Sequence, residues 1–335
     1  MHQPYRVSRR SALFGVAGAL GATGGRAVAQ PAASAGDWPN RSVRVLVGYP
    51  AGGANDLVAR AVAQGMSEAL GQSVVVENRS GAAGSIAAEA AARATPDGYT
   101  LFAMASAHAL APAIRRNLTY DPVRDFAPIA LAASAPYFLV VHPSMPVTDA
   151  KALIALARRQ PGTVTFASSG VGAGPHLTME LLQAVADVQF NHVPYRGDAD
   201  MLVDLIAGRV QAAFSSAGPT LPHLREGRLR ALGVSGERRL TAAPDVPTVA
   251  EAADLPGFAM GAWWGIVAPA GTPEAVLKRA EAAAVPTIRS AAFRERFEQM
   301  GFEPGTLSGA EFGRFITSER DRLAEIVRRA GIEPQ

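Results

Sequence analysis

The chain has 335 residues, a length that sets an expectation of about two domains and is ample for a buried core. Apolar residues make up 48% and charged residues 18%, which excludes an intrinsically disordered chain. There is no cysteine, so disulfides, thiolate metal sites, a cysteine nucleophile and a lipid-modified N-terminal cysteine are excluded, and the net charge of +3 hints at an anionic partner until its location is considered.

Residues 1–29 read as a secretory signal peptide. Arg6, Arg9 and Arg10 form a basic start without acids, residues 11–25 are small and apolar, and Ala27-Val28-Ala29 is a small-x-small cleavage pattern. Ser8-Arg9-Arg10 with Leu13 also resembles a twin-arginine signal, with Ala12 as the mismatch, so Sec and Tat export both stay open. The apolar run is too short, and too broken by glycine, for a membrane anchor. Cleavage after Ala29 removes Arg6, Arg9, Arg10 and Arg26 but no acid, and leaves a net charge of −1. No later stretch is apolar enough to span a bilayer, so the expectation is a soluble, exported, periplasmic protein.

From Val43 onwards strands and helices alternate. A strand over 43–47 runs into Tyr49-Pro50-Ala51-Gly52-Gly53 and a helix over 55–70. That helix carries Leu57, Val58, Ala61, Val62, Met66, Ala69 and Leu70 on one face, and Gly71 ends it. A strand over 74–77, a tight loop over 81–84, a helix over 86–94 and a strand over 99–104 follow. The stretch 125–134 reads as a crossing to a second lobe. There, strands over 137–141, 163–167, 190–193, 210–214 and 229–234 alternate with helices over 149–159, 175–185 and 198–207, the first capped by Thr148. The stretch 258–267, with Trp263 and Trp264, reads as the return. Pro273 is expected at the first position of a C-terminal helix, and Pro286 is expected to kink or interrupt it. Ser308-Gly309-Ala310-Glu311 reads as a capping box opening a last helix to about Arg329. The expected fold is α/β, with mostly parallel sheets in two lobes hinged around a cleft. Lobe 1 comprises 38–132 plus 263–335, and lobe 2 comprises 133–262.

In open parallel sheets, ligands bind beyond the carboxyl ends of the strands. Tyr49 to Asp56 lies at the first such end. Gly52 and Gly53 let backbone N–H groups approach a ligand, the helix start favours an anion, and Asn55 and Asp56 can cap the helix. Asp56 can equally pair with Arg60 one turn on. Gly81 belongs to a similar nest over 80–84, and Ser106 follows the third strand. Ser168-Ser169-Gly170-Val171-Gly172-Ala173-Gly174-Pro175-His176 has the order of an anion cradle, in which His176 is either a donor to ligand or a packed histidine. Tyr195-Arg196-Gly197 opens another helix, where Arg196 either clamps a carboxylate bidentately or pairs with Asp198 or Asp200. Ser216 is a weaker candidate at the end of the 210–214 strand.

Enzyme chemistry finds little support. There is no Gly-x-Ser-x-Gly elbow and no His-Glu-x-x-His, and His108, His142, His176, His192 and His223 are scattered. No metal or cofactor is expected. Nucleic acid is not expected as a partner either, since the exported chain holds only two lysines, Lys151 and Lys278, and no aromatic-basic stripe.

Several motifs in order resemble one family: Trp38-Pro39, Tyr49-Pro50-Ala51-Gly52-Gly53 with Asp56, Asn78-Arg79 with Gly81-Ala82-Ala83-Gly84, and Pro96-Asp97-Gly98-Tyr99-Thr100-Leu101. Tyr120-Asp121-Pro122, Ser169-Gly170 with His176, Val193-Pro194-Tyr195-Arg196-Gly197, Pro247-Thr248 and Pro269-Ala270-Gly271-Thr272-Pro273 continue the series. Together they resemble the periplasmic solute receptors of tripartite tricarboxylate transporters, or Bug-type receptors, from Trp38 to about Gly331. The resemblance implies a type II, Venus-flytrap binding protein that is not an enzyme. It implies capture of a small organic acid or amino-acid-like ligand, delivery to two integral membrane subunits, and a monomeric receptor. Its implied contacts are the 52–56, 169–176 and 195–197 loops. Asp198-Ala199-Asp200-Met201 and Ser215-Ser216 depart from the family's usual residues near the expected cleft, so the resemblance names no ligand. The alternatives are a receptor-like sensor or accessory protein for a membrane signalling partner, and an enzyme on the same fold.

Overall fold

The computed structural model describes residues 38–195, 197–329 and 331–334. The expected signal peptide, 1–29, and Arg196 lie outside the described residues.

The first sheet is built on three parallel strands. β1 (Val43–Val47) lies between β2 (Val74–Asn78) and β3 (Thr100–Ala105). Alternate side chains of β1 enter opposite cores: Val43, Val45 and Val47 on one face, Leu46 on the other. The crossovers are α1 (Ala54–Leu70) and α2 (Ser85–Ala92). α1 buries Val58, Val62 and Met66, and Gly71 closes it at φ 65°, where a side chain would be strained. α3 (Ser106–Ile114) follows β3 directly and was not expected.

β4 (Phe126–Val141) is one strand of 16 residues shared by both sheets. Phe126 to Pro136 pairs antiparallel with β9 (Gly261–Pro269), which also pairs with β3. Tyr137 to Val141 pairs with β7 (Ala212–Ser216) and β8 (Arg230–Val234). The stretch expected as a crossing over 125–134 is therefore continuous with the strand at 137–141. Most of β4 is buried, so it serves as core strand to both sheets. Beyond β7 lie β5 (Thr165–Ser168) and β6 (Asn191–Pro194), all parallel.

The second sheet is covered by α4 (Ala150–Arg159), α5 (Gly174–Ala186) and α8 (Val249–Ala253) on one face and α6 (Asp198–Ile206) and α7 (Ala217–Arg225) on the other. α9 (Glu274–Arg289), α10 (Ala291–Gln299) and α11 (Gly309–Arg329) return to the first sheet. A two-residue strand, β10 (Glu303–Pro304), adds to β4.

Four local expectations are corrected. The α4 cap is Asp149, whose Oδ1 accepts from the Ala152 N–H at 2.8 Å, and Thr148 lies one residue outside. Pro273 is the N-cap of α9 and Glu274 is its first helical residue. α9 runs through Pro286 to Arg289, because one lost donor a turn from the end is outweighed by the burial of Ala283, Ala284 and Ile288. The Ser308 hydroxyl does not cap α11. It donates to Glu281 at 2.5 Å, and the Ser308 carbonyl accepts from the Glu311 N–H.

Candidate functional site

Five helices begin on one cavity of about 1050 Å³, the upper end of the range for small-molecule sites. Its lining includes the N-cap and first residue of each: Gly53 and Ala54 of α1, Ala105 and Ser106 of α3, Ala173 and Gly174 of α5, Gly197 and Asp198 of α6, and Ser216 and Ala217 of α7. Each helix follows a strand of one of the two parallel sets, so the sheets deliver all five starts to one place. In α1, α5, α6 and α7 the N-cap side chain takes none of the first-turn N–H groups. Such free donors, at the positive end of a helix dipole, favour an anion by about 0.3–1 kcal/mol each at exposed sites.

The predicted residues divide into two groups. Tyr49, Gly52, Gly53, Asn55, Ser106, Ser169, Gly197 and Ser216 line the cavity. Asp56, Gly81, Ser168, Gly170, His176 and Tyr195 lie outside its lining, and the hydrogen bonds of five of them brace its loops.

Asp56 is the hub of the first loop. Its carboxylate accepts from Gly52 N–H (2.9 Å), Arg60 Nε (2.9 Å) and Asn78 Nδ2 (2.8 Å). Burial alone would raise its pKa, but the hydrogen bonds from Arg60, Gly52 and Asn78 together hold it below the usual carboxylate range. Asp56→Ala leaves the Gly52 N–H and the Asn78 amide without this acceptor. An expected loss of about 2–4 kcal/mol in urea unfolding follows, and a loss below about 0.5 kcal/mol would show the hub to be dispensable.

The second glycine loop is braced by two histidines. Ser168 Oγ lies 2.7 Å from His192 Nε2, and the Gly170 N–H donates to Ser168 Oγ at 3.3 Å. The Gly172 N–H donates to His176 Nδ1 at 3.1 Å. That bond makes Nδ1 the acceptor and leaves the proton on Nε2, which faces Glu180 at 3.5 Å. His176 is stacked on His192, with centroids 4.1 Å apart, and burial, then the neighbouring His192, lower its pKa to about 4. It is a neutral, buried histidine outside the cavity lining. Tyr195 turns its hydroxyl to Asp204 (2.8 Å), and burial raises its pKa to about 12. Gly81 sits at φ 137°, and a Cβ there would lie 2.5 Å from the Ile86 side chain.

Several lining residues had no nomination as ligand contacts. Tyr137, at the point where β4 passes between sheets, has a phenol pushed up by burial, then by Asp198. Nothing in its sequence context marks it. Tyr49 is likewise raised to about 12 by burial, so both phenols are neutral donors at pH 7. Trp264 lines the cavity, whereas Trp263 is packed inside with Nε1 donating to Glu319 at 3.2 Å. Among the described residues, Asp198 and Arg225 are the charged side chains of the lining. Arg225 is exposed at the far end of α7, about 12 Å along the helix from its start. Among the described residues there is no group of three or more potential metal ligands, and no helix is long and apolar enough to cross a membrane.

Two α/β halves sharing β4, with helix starts converging on one cavity, define a two-lobed solute-binding protein. The sequence profile of the tripartite tricarboxylate transporter family receptor matches residues 58–332, and the chain belongs to that family. BugT of Bordetella pertussis is 35% identical over 321 residues, 95% of this chain and 97% of that protein. The structure of R. palustris Rpa4515 with adipate is similar at 34% identity and TM-score 0.78, covering 89% of this chain and all of that one. MatC (Rpa3494) from Rhodopseudomonas palustris with bound malate is similar at 32% identity and TM-score 0.73, covering 87% of this chain and all of the other. The family and these structural neighbours are solute-binding proteins rather than enzymes.

Proposed function

We propose that this receptor is exported by residues 1–29, captures a small carboxylate in the periplasm, and delivers it to the two integral membrane subunits of a tripartite tricarboxylate-type transporter. The observation that carries the reading is the convergence of five helix starts on one cavity. In this reading the first-turn N–H groups of α1, α3 and α5, with Ser106 and Ser169, hold the carboxylate. The neighbours that carry adipate and malate support a small organic acid as the class. Lobe 1 (38–132 plus 263–335) and lobe 2 (133–262) close on the ligand as a monomer, hinging where β4 passes between the sheets at Ala135 to Tyr137.

The test is a thermal shift with a panel of mono-, di- and tricarboxylates, amino acids and aromatic acids. A true ligand at a hundredfold excess over Kd adds about 2.7 kcal/mol to stability by mass action. No shift with any member counts against the reading. Gly53→Val is expected to abolish the shift while leaving the unliganded melting temperature within a few degrees. Gly53 has φ −75°, open to any residue, and a Cβ there meets nothing closer than the Pro50 carbonyl at 3.5 Å. The added side chain therefore occupies cavity space and not protein interior. Unchanged affinity would show that the first loop is structural only.

A further inference from the structure

Two residues on the cavity carry buried acceptor atoms without a donor. Asn55 is only 4% exposed, and its Nδ2 donates to the Ala103 carbonyl at 3.2 Å. Because that partner can only accept, the other amide atom is the oxygen, and Oδ1 has no hydrogen bond. Asp198 receives the Ser216 hydroxyl on Oδ2 at 2.7 Å, and its Oδ1 is buried and unpaired. Among the described residues, the remaining buried unpaired side-chain atoms, on Trp38, His108, Tyr120 and His223, belong to residues outside the cavity lining. The two acceptors stand on opposite sheets, Asn55 in the first turn of α1 after β1 and Asp198 in the first turn of α6 after β6.

A buried acceptor left without a donor is unfavourable, and more so when it is a carboxylate oxygen. The Ser216 hydroxyl has a single proton, already given to Oδ2. Arg225, the other charge among the described lining residues, is exposed at the opposite end of α7 and neutralises nothing at Ser216. Among the described residues no side chain donates to Oδ1 of Asp198 or of Asn55, and a ligand in the cavity that both residues line is placed to supply the donor. An ammonium group supplies three N–H donors and the opposite charge. A second ligand carboxylate supplies neither and places like charge against an unpaired oxygen.

We infer that the cavity selects an amino carboxylate, its carboxylate at the free helix starts of α1 and α5 and its distal ammonium on Asp198. The inference rests on the receptor reading above and goes beyond it by naming the ligand's second group. Asp198 then acts as the specificity-determining residue against dicarboxylates of the same length.

Matched probes test it by titration calorimetry on the full chain: 6-aminohexanoate against adipate, and 4-aminobutyrate against succinate. Within each pair the carbon skeleton is the same length and only the distal group changes. The amino member is expected to bind at least about tenfold more tightly in at least one pair. Asp198→Asn is expected to cut that preference to about threefold or less, and Asp198→Ser serves as a second variant should the first fold poorly. Tighter binding of the dicarboxylate, or a preference that survives both substitutions, overturns the inference and leaves the receptor reading standing. Heat from none of the four probes also overturns it. The receptor reading itself falls only if the wider panel fails as well.

Discussion

Stability is expected to fall by about 4 kcal/mol between pH 7 and pH 5, a large part of the 5–15 kcal/mol typical of a folded domain. His108 and His176 are both buried, at 0% and 5% exposure. Burial lowers each from the ordinary 6.5 to about 4. His108 packs edge-on to Phe102 and Tyr49, where a charged ring would be poorly solvated. The sign follows from proton counting. Between pH 6.5 and 4 the unfolded chain binds these protons and the folded chain does not, so acid favours unfolding. At pH 5 each ring contributes a loss of about 2 kcal/mol. His192 and His223, also lowered by burial, act in the same sense. Glu180, raised by burial, opposes them in part, since its folded form takes up a proton more readily than its unfolded form. Urea unfolding at the two pH values measures the total, and NMR titration of the two rings should show no protonation above pH 5. Equal stability at both values, or a gain in acid, would remove the case for neutral buried histidines.

Much of this fold was legible because alternation of strand and helix is a strong local signal. Val43 to Val47, the amphipathic α1 with Gly71 at its end, and α5 after its glycine loop all declare themselves through spacing and punctuation. What was not legible depends on packing. β4 is apolar apart from Ser134 and the Tyr137 hydroxyl, so periodicity could not show that one strand serves two sheets. α3 is short and contains Pro112, and α7 contains Pro222, so local propensity argued against both helices. Their starts are nevertheless two of the five that meet at the cavity.

The candidate site shows the same division. Glycine loops after strands marked most of the cavity wall, because close backbone approach leaves a sequence signature. Side-chain direction leaves none. Asp56 and His176 stand in the first turns of the helices those loops open, yet they turn back to hold Gly52 and Gly172. Tyr137 is 37 residues before Gly174 in sequence and meets it only through the packing of β4 against α5. Asp198 stands out in sequence only as a departure from the family's usual residues, and its unpaired oxygen appears only in the packed structure.

Gly174→Ala is expected to damage both fold and binding, unlike the change at Gly53. A Cβ at Gly174 would lie 2.0 Å from the Tyr137 hydroxyl and 2.7 Å from its Cζ, both far inside van der Waals contact. Tyr137 belongs to β4, paired with β7 at Ser216, and is 7% exposed, so the ring has little room to retreat. The start of α5 must move instead. Overpacking of this kind costs about 1–3 kcal/mol. Displacement also takes the first N–H groups of α5 away from a bound carboxylate. If two charge-assisted hydrogen bonds worth about 1.5–3 kcal/mol each are lost, affinity falls at least about 100-fold. Adding Tyr137→Phe removes the 2.0 Å contact and keeps the one at 2.7 Å, so the double variant should recover part of the stability and not all of it. A single variant with unchanged melting temperature and unchanged affinity would mean that α5 can shift without consequence, and that its start does not hold the ligand.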